Sequence, residues 1–434
     1  MKKKLLSVLL AAALSMTVTG CGRDKTNDNN NNAAKETETE IQNSGAQGAE
    51  LTCQLTVWGP AEDQAEAKGN WLPKMCEAFA KEHPTWNIDF RYGVCAEGEA
   101  KTNVTQDVEG AADVYLFAND NIADLISNKA LSRIGGSALE KIQAENTEEV
   151  VDSVTVDGAV YGFPFATNTW YMYYDKNVFS EEDVKSLDTM LSKGKVAFPL
   201  TDSWYIAAFY VANGGTMFGD TQTDEAAGID FGGDKGAQVT DYLIDLAANP
   251  NFVNDENGDV GIAGLRDGSV NAIFSGSWKA ADVKDALDDR MGVAVLPVAS
   301  INGQDCQLRA FAGTKAVGVN PNCKNQKVAV ALAEFLSSEE AQLAHYQARG
   351  VVPCHAGLLE GDEMQADPLV SVQNTTFYNM SIRQPFVAVM GNYWDAAKSM
   401  GQAIVNGEVT HENAAAKTEA MNQAMNTSVA EGAR

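Results

Sequence analysis

Cations are scarce in this chain. Lysine and arginine number 32 against 59 aspartates and glutamates, a formal net charge of −27. Such a field opposes approach to DNA, RNA and anionic lipid headgroups, so no nucleic-acid partner is expected; it suits a neutral ligand and a soluble surface. Histidine is rarer still, at 4 in 434 residues. None lies at ligand spacing and no Cys-x-x-Cys occurs, which argues against a structural zinc site. GxSxG, HExxH and phosphate-loop patterns are missing, and nothing suggests a metal or cofactor. No tandem repeat of about 20–50 residues is visible. The uncharged apolar run from Leu5 to Val18 is too short for a comfortable membrane span.

That run nevertheless has a clear reading. Lys2, Lys3 and Lys4 form a positive start, and Thr19-Gly20-Cys21 follows the apolar segment. Residues 1–20 therefore read as a secretory signal, and the small residue before cysteine resembles a bacterial lipobox. The resemblance implies cleavage before Cys21 and lipidation there; a plain secreted protein cut nearby is the alternative. Without the three lysines, 29 basic residues face 59 acidic ones, a net charge of −30. Residues 21–50, rich in Asn, Glu and Thr, hold too little apolar surface to offset the entropy of ordering and read as a tether. A lipid on Cys21 would hold the protein at the extracellular face of the cell membrane, and the Asn-rich tether favours a Gram-positive type. Six further cysteines remain, at positions 53, 76, 95, 306, 323 and 354. An even number outside the cytoplasm permits disulfides. Cys53 and Cys95 sit on strand-like pieces that could be neighbours, and pairing stays open.

About 380 residues follow the tether, more than one core usually supports, so two lobes are expected. The chain alternates strand and helix. Leu51–Trp58 reads as a strand ended by Gly59-Pro60. Trp71 to Phe79 repeats at helical spacing, and His83-Pro84 stops it. Ile88 to Val94 alternates as a second strand, and Ala112–Phe117 gives a third, with Asn119-Asp120 as a turn and cap for a helix through Leu131. Asp157-Gly158 marks a hairpin. Phe163-Pro-Phe followed by Thr167-Asn168-Thr169 and the aromatic run Trp170–Tyr174 looks like a chain leaving one lobe for another, and ligands favour such junctions. Asp202-Ser203 caps a helix that Gly214-Gly215 ends. Val239, Tyr242, Leu243 and Leu246 mark one helix face. Val270–Phe274 and Val293–Leu296 read as strands, the latter cut by Pro297. Alternating units of this kind argue for an α/β chain with largely parallel sheets.

Leu55-Thr-Val-Trp58, Ala112–Asp120, Tyr161-Gly-Phe-Pro-Phe165, Tyr174-Asp-Lys176, Asn213-Gly-Gly215, Ala272–Trp278, Val295-Leu-Pro297 and Tyr393-Trp394 carry a family likeness across nearly the whole mature chain. The sequence resembles the maltose-binding branch of bacterial extracellular solute-binding proteins, the receptors of sugar ABC importers. The resemblance implies a two-lobed periplasmic-binding-protein-like α/β fold, each lobe a mainly parallel sheet flanked by helices, with three hinge crossings near 163–169, 297–300 and 345–352. One lobe would be 51–166 with 298–346, the other 167–297 with 347–430. It implies a monomer that passes a neutral oligosaccharide to permease transmembrane subunits.

A neutral sugar needs short polar side chains in fixed geometry and aromatic plates for its C–H faces, just beyond strand ends. By resemblance, Asp120 and Asp202 match carboxylates that accept sugar hydroxyls, and Glu62 or Asp63 matches the acidic contact after the first strand. Trp278 and Trp394 match stacking tryptophans, Trp204 a third aromatic position, and Phe117 a place where the family often has tryptophan. Asn168 stands where the family has a glutamate and Asn121 where it has an arginine, which weakens maltose itself as the ligand. Asn119 either touches ligand or holds a strand end, and Asp113 holds a strand end. Trp58, Trp71, Trp86 and Trp170 read as core. The expected ligand is an α-linked glucose oligosaccharide of three or more units, with xylo-, manno- or fructo-oligosaccharides as alternatives. A glycosidase using Asp120 and Asp202, or an adhesin or sensor on the same fold, are the rivals from other classes.

Overall fold

Leu51–Gly59 buries Leu55 and Val57 completely and lies between two parallel neighbours, Trp86–Val94 and Val114–Ala118. The computed structural model describes residues 51–427; the expected signal segment, Cys21 and the tether lie outside the described residues. The connections run over helices, which is what parallel pairing requires. Trp71–Glu82 is one, burying Trp71, Leu72, Cys76 and Phe79 against the sheet. The sheet continues through Ala310–Val319, antiparallel to Val114–Ala118, which carries Phe163–Asn168 and Ser381–Arg383 on its other side.

A second sheet runs in the order Phe252–Asn254, Val196–Phe198, Ala272–Ser275, Tyr171–Asp175, Met291–Ala294. The first three strands are parallel. Tyr171–Asp175 runs antiparallel to both of its neighbours. Each sheet thus joins a parallel set to antiparallel strands, so the architecture is α/β and two-lobed with mixed sheets. Each has its own hydrophobic core, and the second sheet is covered on its other face by residues including Val283, Val352 and Val370. No helix of the described residues is long and apolar enough to cross a membrane.

The chain passes between the sheets three times. Thr169 and Trp170 separate Phe163–Asn168 of the first from Tyr171–Asp175 of the second. The second passage differs from the position expected at 297–300. Val298–Ile301 folds back on Gln304–Gln307 as a hairpin, turned by Asn302 and Gly303 at φ 51° and 76°. Its Ala299, Ile301 and Cys306 belong to the second core. Pro297 therefore stands between Met291–Ala294 and this hairpin without changing lobe. The strand Ala310–Val319 makes the passage itself, with Ala310 and Phe311 in the second core and Ala316, Val317 and Val319 in the first. The third passage follows helix Glu339–Arg349, where Gly350 adopts φ 71°, Val351 joins the first core and Val352 packs behind the second sheet.

All six described cysteines are free and buried. Cys53 pairs with Ile88 near one end of the first ladder, whereas the Cys95 N–H bonds Gly59 O beyond the other. The two strands are neighbours, but these cysteines sit at opposite ends.

Candidate functional site

The carboxyl ends of the parallel strands in both sheets open into one cleft of about 470 Å3. Such volumes suit small-molecule ligands. From the first sheet come Glu62 and Asp63 after Leu51–Gly59, Glu97 after Trp86–Val94, and Asp120 after Val114–Ala118. From the second come Asp202 and Trp204 after Val196–Phe198, and Trp278 after Ala272–Ser275. Asn168, the last residue of its strand, and Trp394, on helix Gly391–Val405, also line it.

The three cleft tryptophans are half-buried, unlike Trp71 and Trp170, which are core. Trp204 is fixed by its indole N–H, which donates to Gln384 Oε1 at 2.9 Å. Its ring centroid lies 6.0 Å from that of Trp278. Trp394 is braced edge-on by Phe311 and Tyr393. Trp58, Trp71, Trp86 and Trp170 are not among the cleft-lining residues.

The carboxylates divide into two kinds. Asp63, only 2% exposed, is internally committed. Its Oδ1 accepts from Arg349 Nη1 at 2.8 Å and meets His345 Nε2 at 2.9 Å. Burial pushes its pKa up, but His345 and Arg349 outweigh burial and hold it below the usual carboxylate range. Asp120 and Asp202 instead keep acceptor capacity. Burial raises Asp120 to about 6, against the lowering hydrogen bond from Asn121. Burial also raises Asp202, whose Oδ1 caps helix Ser203–Ala212 by accepting the Trp204 N–H at 2.8 Å. Two poised acceptors on opposite walls can accept hydrogen bonds from hydroxyls.

Three expected contacts do not reach the cleft. Phe117 is fully buried, with its ring tip at Gly162, where any Cβ would lie 2.8 Å from it. Asn119 is buried, and its amide donates to Ser153 O at 3.1 Å. Asn121 lies behind Asp120: its amide donates to Asp120 Oδ1 at 3.0 Å while its own oxygen accepts the Lys101 N–H. It orients the carboxylate and is not among the cleft-lining residues. Asp113 accepts the Thr56 N–H and so ties two strands, as expected.

Other cleft residues went unread in the sequence. His345 and Arg349 lie one helical turn apart on Glu339–Arg349, and His345 stacks on Trp71 with centroids 4.0 Å apart. Lys315 lies within Ala310–Val319, 7% exposed, with Nζ 3.0 Å from Glu97 Oε1. A single charge inside the apolar stretch Ala310–Val319 was the available signal. Among the described residues no group of His, Cys, Asp and Glu could hold a metal ion.

Comparison with known proteins places this geometry. The family model described as bacterial extracellular solute-binding protein matches residues 74–372. The chain belongs to that family. A chain solved with acarbose is 53% identical, covering 86% of this chain and 99% of its own, at a TM-score of 0.84. The galactooligosaccharide-binding protein of Bacillus subtilis (strain 168) is 25% identical, over 86% of this chain and 89% of its own length. The maltooligosaccharide ABC transporter solute-binding lipoprotein of Streptococcus pneumoniae (strain ATCC BAA-255 / R6) is 24% identical, over 85% and 88%. The family's name suits a cleft lined by aromatic plates and hydroxyl acceptors on two lobes.

Proposed function

We propose that this protein is the receptor of a carbohydrate ABC importer, capturing a neutral α-linked glucose oligosaccharide of three or more units and delivering it to permease subunits. The observation that carries this reading is the meeting of Trp204, Trp278 and Trp394 with the open acceptors Asp120 and Asp202 in one cleft. Three half-buried indoles offer more stacking surface than one disaccharide covers. Glu62, Asn168 and Ser203 add polar contacts along the same walls. The relative solved with acarbose, an α-linked glucose-oligosaccharide mimic, supports α-linkage. The streptococcal relative's name supports a maltooligosaccharide.

Lipidation of Cys21 would anchor the receptor at the extracellular face, as the word lipoprotein in that relative's name suggests. Cys21→Ser should then release the protein from the membrane fraction; unchanged association would remove the anchor from the account. A galacto-oligosaccharide is the second reading, favoured by the name of the Bacillus relative. Catalysis is not part of the proposal. Purified protein incubated with maltotriose should release no reducing ends, and steady release would make it a glycosidase.

A further inference from the structure

We infer that Lys315 is a positioning residue for ligand stacking: it holds the Trp278 indole in place from the opposite lobe. The oligosaccharide reading of the cleft underlies this inference. Trp278 sits on the single turn Ser277–Lys279 of the second lobe, a short element with little rigidity of its own. Three contacts fix it. Gly276 leaves its Cβ position empty, and the indole fills that space: a Cβ there would lie 1.8 Å from a ring carbon. Arg349, anchored on Asp63, donates Nη2 to the Trp278 carbonyl at 3.1 Å. Lys315 places its Nζ 5.2 Å from the ring centroid, and that ammonium is itself held by Glu97 at 3.0 Å.

The Lys315–Glu97 pair is hard to explain by stability. Its side chains are 9% and 11% exposed, and desolvation of two charges roughly cancels their attraction. Apolar side chains at both positions would serve the fold as well. The ammonium over an aromatic face supplies orientation instead, because attraction to the ring quadrupole depends on where the ring lies. Both arms reach Trp278 from residues at the passages between the lobes. Lys315 lies on the strand that carries the chain across, and Arg349 ends the helix before the third passage. The plane of the stacking surface is therefore set by the relation of the two lobes.

A double-mutant cycle read by calorimetry with maltotriose tests this. Lys315→Met should weaken binding about tenfold in the native background and change little in a Trp278→Ala background. Lys315→Arg, which keeps the cation, should stay near native. A role confined to folding would lower affinity in both backgrounds alike. Should Lys315→Met fail to fold, Glu97→Gln takes its place, and its loss must likewise vanish without Trp278. Equal losses in both backgrounds, or no loss in either, would overturn the inference while leaving the receptor reading intact. If the native protein binds no glucose oligosaccharide, that reading falls and the inference with it.

Discussion

Asp120 illustrates how a side chain's surroundings set its chemistry. Burial raises its pKa to about 6 from an ordinary 3.8, so the ionised form is penalised in the fold. The sign follows directly. The penalty is full above pH 6 and is relieved as pH falls toward 3.8, so acidification over that window does not destabilise the ligand-free protein through this group. Binding should respond the other way, because a protonated carboxyl accepts less well from sugar hydroxyls. At pH 5 about one tenth of the ligand-free protein carries this carboxylate, so affinity should drop up to about tenfold from pH 7. Calorimetry at the two pH values checks this, and Asp120→Asn should flatten most of the change. Trp278→Ala should weaken binding by about 1.5–3 kcal/mol, the scale of one large buried apolar contact. Gly276→Ala should approach the same loss, since its added Cβ must displace the indole. Native-like affinity for Gly276→Ala would mean that the ring position does not matter.

Individual elements show which features a sequence can reveal. The Asp202 cap was legible because a short polar residue before an apolar helix has one economical use, and its bond to the Trp204 N–H is present. Asp157-Gly158 was legible for a similar reason, since both adopt positive φ in the hairpin. Phe117 was not. Every residue of Val114–Ala118 is buried, so alternation cannot tell which face meets the cleft. His345, Arg349 and Lys315 were missed because their partners Asp63 and Glu97 lie more than 200 residues away in sequence. Pro297 misled because proline marks the end of a strand but says nothing about which core the next hairpin joins. The cap yields its own test. Asp202→Ala should cost about 1 kcal/mol of stability in denaturant unfolding. Asp202→Asn, which can still cap, should cost only a few tenths. Equal losses would show that the cap is not what the residue contributes.

At the scale of the whole molecule, the proposed ligand contacts line the cleft from both lobes, so the arrangement that brings the walls together would gain all of them. Lys68 already pairs with Asp282 across the lobes at 2.7 Å, although a partly exposed pair of this kind contributes little by itself. Saturating ligand should therefore shrink the radius of gyration in solution scattering, and an unchanged value would argue against closure. The two-lobed layout was visible in the length of chain after the tether and in the aromatic crossing at 163–176. Which strands return to complete the first sheet was not visible, because Ala310–Val319 and Ser381–Arg383 pair with segments far upstream. The claim on which most depends is the ligand. Calorimetry of the purified protein against maltotriose, maltose, a galacto-oligosaccharide, xylotriose and cellotriose tests it most directly. The account predicts micromolar or tighter binding of maltotriose, exceeding that of maltose; tight binding of a β-linked member with none of maltotriose would contradict it.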